Sequence, residues 1–292
     1  MVGFSIPLTD KEKNSLYFAN NQKDSLLINT PAPRIIFIGG SNLSFGLNSQ
    51  IIKDSLKLNP INLGVHANIG LEYMIDNTKR YIKKSDIVIL APEYNNFFGD
   101  FMYGDIQLLE SVFLTNFLNI FKLSKNQIKK ISKYILNYSF SRIFNLLKSI
   151  FNSEKKKYDG IYNVSSFNIY GDTDAHWKMN KIEYNSFKKI NTPYNNNTLK
   201  KIVEFEKEIN KKEANLFVTY PGFQDISYNE SINQINKVEN ELRKTKLKLL
   251  GTSIDYKISD SLTFNTPYHL TKIGVDYRTQ LFISDFKDEI FK

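Results

Sequence analysis

The sequence predicts an α/β fold, specifically a flavodoxin-like three-layer α/β/α sandwich with about five parallel strands. Two observations support it: short β-branched runs end in glycine or proline, and amphipathic helical segments alternate with those runs. A third observation is the long interval from residue 92 to residue 213, which interrupts the alternation. At 292 residues the chain can form one α/β domain, so we expect residues 1–292 to be a single domain with one insertion.

Five strands are expected, each a buried parallel strand by composition. They cover residues 34–40, 61–64, 86–91, 214–220 and, more weakly, 247–250. Pro92 and Pro221 follow the third and fourth strands, where proline stops a strand. Helical patterns cover residues 49–56, 71–82, 198–212 and 230–244, and a last helix runs through Tyr277 and Leu281.

The insertion, residues 100–190, is expected to be largely helical. Its apolar residues fall into two groups that each share one helix face: Ile128, Ile131 and Ile135 in the first, and Ile143, Leu146, Leu147 and Ile150 in the second. The lysines between them are placed to stay in water: Lys122, Lys125, Lys129, Lys130 and Lys133. The pattern favours a helical hairpin packed over the sheet. The alternatives are a basic surface on an anionic membrane or a lid over the active site.

Composition sets limits on the chemistry. The chain has no cysteine, which excludes disulfides, thiolate metal sites and a cysteine nucleophile. The net charge is +9, but the lysines are dispersed over helices, so we expect a solvated face and no nucleic-acid partner. Residues 1–8 lack the pattern of a secretory signal and no apolar run reaches membrane-spanning length. We expect a soluble chain, either cytoplasmic or the truncated part of a cell-envelope protein.

The first candidate for chemistry is Ser41. It follows Gly39-Gly40 at the turn that leaves the first strand, and ligands of parallel sheets collect at the carboxyl ends of strands. A serine there exposes its hydroxyl and directs a backbone N–H toward the group that it attacks. The alternative reading is a helix-capping serine. No Gly-Lys-Ser/Thr follows, so the turn is not a phosphate loop.

The second candidate is His269, in the late segment from Asn265 to Gly274. Serine-based acyl transfer needs a base within hydrogen-bond reach, and histidine titrates in the range that suits this task. His66 and His176 complete the histidines of the chain, but their spacing does not favour a zinc site, and no metal or other cofactor is expected. Trp177, beside His176, is either a sugar-stacking wall or a packed aromatic.

Four blocks in order resemble those of SGNH (GDSL-like) hydrolases: Gly39-Gly40-Ser41, residues 62–67, residues 91–94 and residues 268–270. The likeness is closer to a bacterial branch related to the D-alanylation protein of lipoteichoic acid synthesis and to polysaccharide O-acetyltransferase or esterase proteins. It covers most of the chain outside the insertion. The order and strand positions of the blocks carry the resemblance.

The resemblance implies that Ser41 is the nucleophile and His269 the base. It implies backbone oxyanion donors at Ser41 and at Ala67, with Gly64 as a nearby alternative. It also implies a substrate of the carbohydrate-ester or acyl-donor kind.

The sequence departs from the family pattern at two positions. Glu93 stands where the family has an asparagine that binds the oxyanion, and a carboxylate there opposes the developing charge. Glu93 can instead hold Tyr94 or a substrate hydroxyl, with Asn68 or Asn95 as the oxyanion donor. Asn265 stands near the place of the aspartate that orients the histidine; it can hold the imidazole but cannot stabilise imidazolium by charge.

The sequence therefore leaves open which residue completes the triad. The choices are Asn265 and two distant carboxylates, Asp260 and Asp172. Two functions follow. The first is a Ser41-dependent esterase or O-acyltransferase; the second is a catalytically reduced protein that binds a glycan or serves as a scaffold for polysaccharide assembly.

Overall fold

The computed structural model describes residues 2–151, 160–187 and 189–291, and the side chains of residues 149–151 are not described. Its centre is a five-stranded parallel sheet of order β2-β1-β3-β4-β6, and a separate two-stranded sheet pairs β5 with β7. The strands are β1 Arg34–Gly39, β2 Asn59–Asn62, β3 Ile87–Ala91, β4 Asn215–Thr219, β5 Phe223–Gln224, β6 Lys248–Leu250 and β7 Lys257–Ile258. The flavodoxin-like fold class is confirmed.

Helices cover both faces of the sheet. They are α1 Asp10–Lys13, α2 Asn20–Asn29, α3 Ser41–Ser44, α4 Ser49–Leu56, α5 Leu71–Thr78, α6 Ile106–Asn116, α7 Lys125–Phe151, α8 Asn196–Lys211, α9 Asp225–Glu230, α10 Ile232–Arg243 and α11 Lys272–Ile290. Because side chains alternate along a strand, Ile36 and Ile38 of β1 join the core under α2, α5, α8 and α10. Ile35 and Phe37 join the core under α4 and α11.

One strand begins earlier than the sequence pattern predicts. β2 covers Asn59–Asn62 rather than residues 61–64, and it includes Pro60. Proline lacks the N–H that a central strand needs, but β2 lies at the edge of the sheet and pairs only with β1. The proline is therefore tolerated.

A buried ion pair fixes the start of the sheet. Arg34 at the start of β1 donates a hydrogen bond from Nε to Asp86 at 2.8 Å, and its other nitrogens reach the carbonyl oxygens of Leu27 and Tyr81. Both charged side chains are almost fully buried. An ion pair in this setting needs such extra hydrogen bonds to offset the loss of hydration.

The insertion differs from the predicted helical hairpin. Its first half is helical, but residues 128–135 and 143–150 lie on the single helix α7. This helix packs on α6 and on the N-terminal 3-10 segment Val2–Phe4 rather than over the sheet. Ile131 is buried whereas Leu147 is half exposed, and the side chain of Ile150 lies outside the described set.

The second half of the insertion, over its described residues 160–187 and 189–190, is irregular apart from one 3-10 turn at Val164–Ser166. Residues 152–159, which the insertion prediction also covers, lie outside the described ranges. No helix in the described ranges is long and apolar enough to cross a membrane.

Candidate active site

A cavity of about 830 Å³ lies outside the carboxyl ends of the strands. Such an edge is where α/β sheets bind ligands. The lining residues come from four parts of the chain: the N-terminal segment, the loops after β1, β2 and β3, the insertion, and the segment before α11. They are Lys11, Asn14, Ser15, Leu16, Tyr17, Ser41, His66, Ala67, Asn68, Glu93, Asn95, Phe101, Gly160, Tyr162, Asn163, Phe187, Thr266, Tyr268 and His269.

Ser41 is the first residue of α3, one residue beyond the tight turn at Gly40. Its backbone N–H has no intrahelical acceptor, as is general for the first turn of a helix. A Cβ atom on Gly40 would lie 2.6 Å from Oε1 of Glu93 and 2.9 Å from Cα of Ala67. Only glycine therefore lets the loops after β2 and β3 approach the serine this closely.

Ala67 is the second residue that the sequence predicts as a backbone donor. It begins the 3-10 turn Ala67–Ile69, so its N–H also lacks an acceptor within that turn, and it lines the cavity beside Ser41. Gly64 is placed differently, because its N–H donates to Oδ1 of Asn62 at 3.0 Å and it does not line the cavity. The geometry therefore favours Ala67 over Gly64 as an oxyanion donor.

Phe45 joins the Ser41 turn to the His269 loop. The N–H of Leu270 donates to the carbonyl oxygen of Phe45 at 3.1 Å. The imidazole of His269 stacks on the Phe45 ring, with centroids 4.0 Å apart and planes at 9°. Four residues after Ser41, this buried phenylalanine sets where the imidazole lies relative to the serine.

Asn265 is the residue that holds the imidazole. Its Oδ1 lies 2.8 Å from Nδ1 of His269. An amide oxygen can only accept, so Nδ1 carries the proton and Nε2 keeps its lone pair, as a general base requires. The Nδ2 of the same amide donates to the hydroxyl oxygen of Tyr162 at 2.7 Å.

The two distant carboxylates are engaged elsewhere. Asp172 accepts hydrogen bonds from the backbone N–H and hydroxyl of Ser49, both at 2.7 Å. Asp260 pairs with Lys181. The structure therefore places Asn265 beside His269, and it places neither aspartate there.

The imidazole is neutral and a weak base. Burial, together with smaller effects of the nearby His176 and His66, lowers the pKa of His269 to about 3. Asn265 carries no charge to oppose this. Ser41 and His269 line the same cavity, yet no hydrogen bond joins the Ser41 hydroxyl to the imidazole among the described residues. Catalytic hydrogen bonds often shorten only when substrate binds.

Glu93 lies beneath the Ser41 turn. Its Oε1 accepts a long hydrogen bond, 3.4 Å, from the backbone N–H of Asn42. Arg278 of α11 holds the other side of Asn42 through the carbonyl and side-chain oxygens of that residue. Burial raises the pKa of Glu93 to about 7, so the carboxyl group is neutral in a large fraction of molecules at neutral pH.

Two predicted substrate-binding residues do not reach the cavity. Tyr94, the first residue of a 3-10 turn, is 1% exposed and packs in the core against Phe223. Trp177 packs on the cluster around Ile258, with Lys272 over its ring. Trp177 is therefore packed against other side chains, and it does not line this cavity. Asn68 and Asn95 do line it.

Sequence reasoning missed three contributions to the site: the N-terminal wall from Lys11 to Tyr17, the anchor Tyr162, and the stacking ring of Phe45. The first two are distant in sequence from any motif and carry no local signal. Phe45 did have a local sequence signal, because an aromatic residue one turn after a candidate nucleophile can pack beside that nucleophile.

The remaining histidines do not form a metal site. His176 is buried, and its Nε2 lies 2.9 Å from the carbonyl oxygen of Leu270. Nδ1 of His66 accepts from the N–H of Asn68. Within the described part of the chain, no three histidine, aspartate or glutamate side chains lie close enough together to hold a metal ion.

Comparisons with known proteins do not assign a family. No family model, curated protein or solved structure matches the chain. We therefore infer the function of the chain from the geometry of the cavity.

We predict that Asn265→Asp raises the pKa of His269 by about one to three pH units, because a carboxylate at this position stabilises imidazolium. NMR titration of the His269 ring protons measures the pKa. In the wild type the ring should stay neutral down to about pH 4.5, given the pKa of about 3. Asn240→Asp on exposed α10 is the matched control and should leave His269 unchanged. A wild-type midpoint near 6.5 would show that the buried, neutral environment described here is wrong.

Proposed function

We propose that this cavity catalyses Ser-dependent acyl transfer, as an esterase or an O-acyltransferase. The observation that carries the proposal is that Ser41, an Asn265-oriented His269 and Ala67 line one cavity, and that the N–H groups of Ser41 and Ala67 have no hydrogen-bond acceptor among the described residues. These are the parts that acyl transfer requires: a nucleophile, a base of defined tautomer and donors for the oxyanion.

In the proposed reaction, Nε2 of His269 takes the Ser41 proton as the hydroxyl oxygen attacks the ester carbonyl. The N–H groups of Ser41 and Ala67 donate to the oxyanion of the tetrahedral intermediate. His269 then gives the proton to the leaving alcohol, and the acyl group remains on Ser41. Water or a sugar hydroxyl, deprotonated by His269, removes it in the second half of the cycle.

The cavity lining favours an uncharged substrate that has apolar as well as polar groups. Four asparagines and several aromatic rings line it, and among the residues that the structure describes Lys11 and Glu93 are its only lysine, arginine or acidic lining residues. Amides bind hydroxyl groups and aromatic rings pack on apolar sugar faces. This supports an O-acylated carbohydrate, the substrate class that the resemblance to SGNH hydrolases implies, and it gives no support to a nucleic acid.

A second function, a catalytically reduced glycan-binding or scaffold protein, rests on Asn265 and on the low pKa of His269. An Asp-to-Asn change in a serine protease costs about ten-thousand-fold in rate, where the wrong tautomer is held. Here Oδ1 of Asn265 lies toward Nδ1 of His269 and its Nδ2 toward the Tyr162 hydroxyl, an arrangement that supports the productive tautomer. The cavity is also open rather than filled, and both features favour the enzyme.

We expect the wild type to hydrolyse p-nitrophenyl acetate and short-chain analogues, and Ser41→Ala to reduce the rate to background because the nucleophile is gone. His269→Ala should lower kcat/KM by about a hundredfold to ten-thousand-fold, the usual value of a general base. Steady-state kinetics measure the rates, and mass spectrometry of quenched mixtures should find an acyl group on Ser41.

Ser25→Ala, at an exposed serine on α2, is the control and should match the wild type. If the wild type, Ser41→Ala and His269→Ala hydrolyse these esters at one rate and no adduct forms, the binding or scaffold function becomes the better account.

We also predict that kcat/KM falls as pH rises through about 7. Below this pH Glu93 is neutral, since its pKa is about 7, and above it an ionised carboxylate opposes the oxyanion. His269 is already neutral above about pH 4, so it adds no rising limb in this range. Glu93→Gln should give a flat profile from pH 5 to 8, and Glu110→Gln, outside the cavity, should keep the fall. A wild-type profile that rises from pH 5 to 8 would contradict this role of Glu93.

A further inference from the structure

Helix α7 is strongly basic. Over Lys125–Phe151 it carries five lysines and one arginine, and no aspartate or glutamate. Arg142 pairs with Glu12, and Lys130 pairs with Asp100. Lys125 and Lys129 have no ion-pair partner among the described residues, so their charge is available to an external anion.

The exposed side of α7 is basic in its first part and apolar in its second part. Lys125, Lys129 and Lys133 follow one another at four-residue spacing, and all three are exposed. Residues spaced by three and four lie on one helix face. The same face continues with the exposed apolar side chains of Leu136, Phe140, Phe144 and Leu147. We call these three lysines and four apolar residues the α7 face.

The apolar half of the α7 face is unusually exposed. Leu136 is 64% exposed, Phe140 69%, Phe144 67% and Leu147 49%. The opposite side of the helix is buried, with Ile131 in the core, so these side chains are not needed to hold α7 in place. Eleven residues separate the first from the last, so the exposed row extends about 16 Å along the helix. Contiguous exposed apolar surface of this kind marks an interaction site.

We propose that the α7 face docks on an anionic membrane surface, with the lysines against lipid headgroups and the two phenylalanines among the upper acyl chains. Charge decides between this partner and a second copy of the chain. Two copies packed with parallel helices bring lysine against lysine, and two packed antiparallel bring lysines against the apolar half. A negatively charged bilayer offers both an anionic layer and an apolar layer to one face.

The test is co-sedimentation with vesicles of phosphatidylcholine alone and of phosphatidylcholine containing one quarter phosphatidylglycerol. The wild type should sediment with the anionic vesicles and be released by high salt. Lys125→Gln, Lys129→Gln and Lys133→Gln together should weaken binding about a hundredfold, since each lysine near an anionic surface strengthens it about fivefold. Phe140→Ser with Phe144→Ser should weaken it at least tenfold, about the loss for removing buried apolar area.

Matched controls are Lys200→Gln, Lys207→Gln and Lys211→Gln together on α8, and Ile254→Ser in an exposed loop; both should bind like the wild type. Circular dichroism checks that each variant folds. Equal sedimentation with both kinds of vesicle, or binding that neither α7 variant weakens, would overturn the proposal. So would the absence of vesicle binding combined with a concentration-dependent dimer that Phe140→Ser with Phe144→Ser abolishes, because this would assign the α7 face to a second copy of the chain.

Discussion

The site depends on one contact, the packing of the His269 loop on Phe45. Ser41 and His269 are far apart in sequence, and they meet because the Leu270 N–H binds the Phe45 carbonyl oxygen while the imidazole stacks on the Phe45 ring. Arg278 reinforces this junction from α11 by binding both oxygens of Asn42. The two ends of the domain are thus joined within one turn of the serine, so the position of the imidazole follows from packing as well as from hydrogen bonds.

The electrostatics around this junction differ from those of a charged catalytic triad. Asn265 orients His269 without adding a negative charge, and burial keeps the imidazole neutral. Glu93 lies where an oxyanion donor is expected, but burial raises its pKa to about 7. In its neutral form the carboxyl group no longer opposes an oxyanion. The proposed enzyme would therefore use a weak general base in a site with little net charge. The two backbone donors would then contribute most to the rate, by stabilising the oxyanion.

The layers of the fold could be predicted from the sequence because parallel strands such as β1 and β3 are continuous apolar runs with sharp ends. Ser41 could be singled out because it follows a strand end, and His269 because it precedes a helix, whereas Asn265 was named only through the resemblance to SGNH hydrolases. The insertion was predicted less accurately, because a helical period does not tell whether two apolar patterns belong to one helix or to two. Tyr94 could not be placed either, because the sequence does not tell which way a turn directs its side chains. The N-terminal wall of the cavity depends on a contact between distant segments, through Arg142 and Glu12, which no local pattern encodes.

The most direct test of the central claim is labelling with a small alkyl fluorophosphonate, followed by peptide mass spectrometry to locate the adduct. Fluorophosphonates react with serines that an adjacent base and an oxyanion site activate. The structure predicts one phosphonyl group, attached to Ser41, and no label in His269→Ala. An unlabelled wild type, or a label at another serine, would contradict the assignment of Ser41 and His269 as an acyl-transfer site.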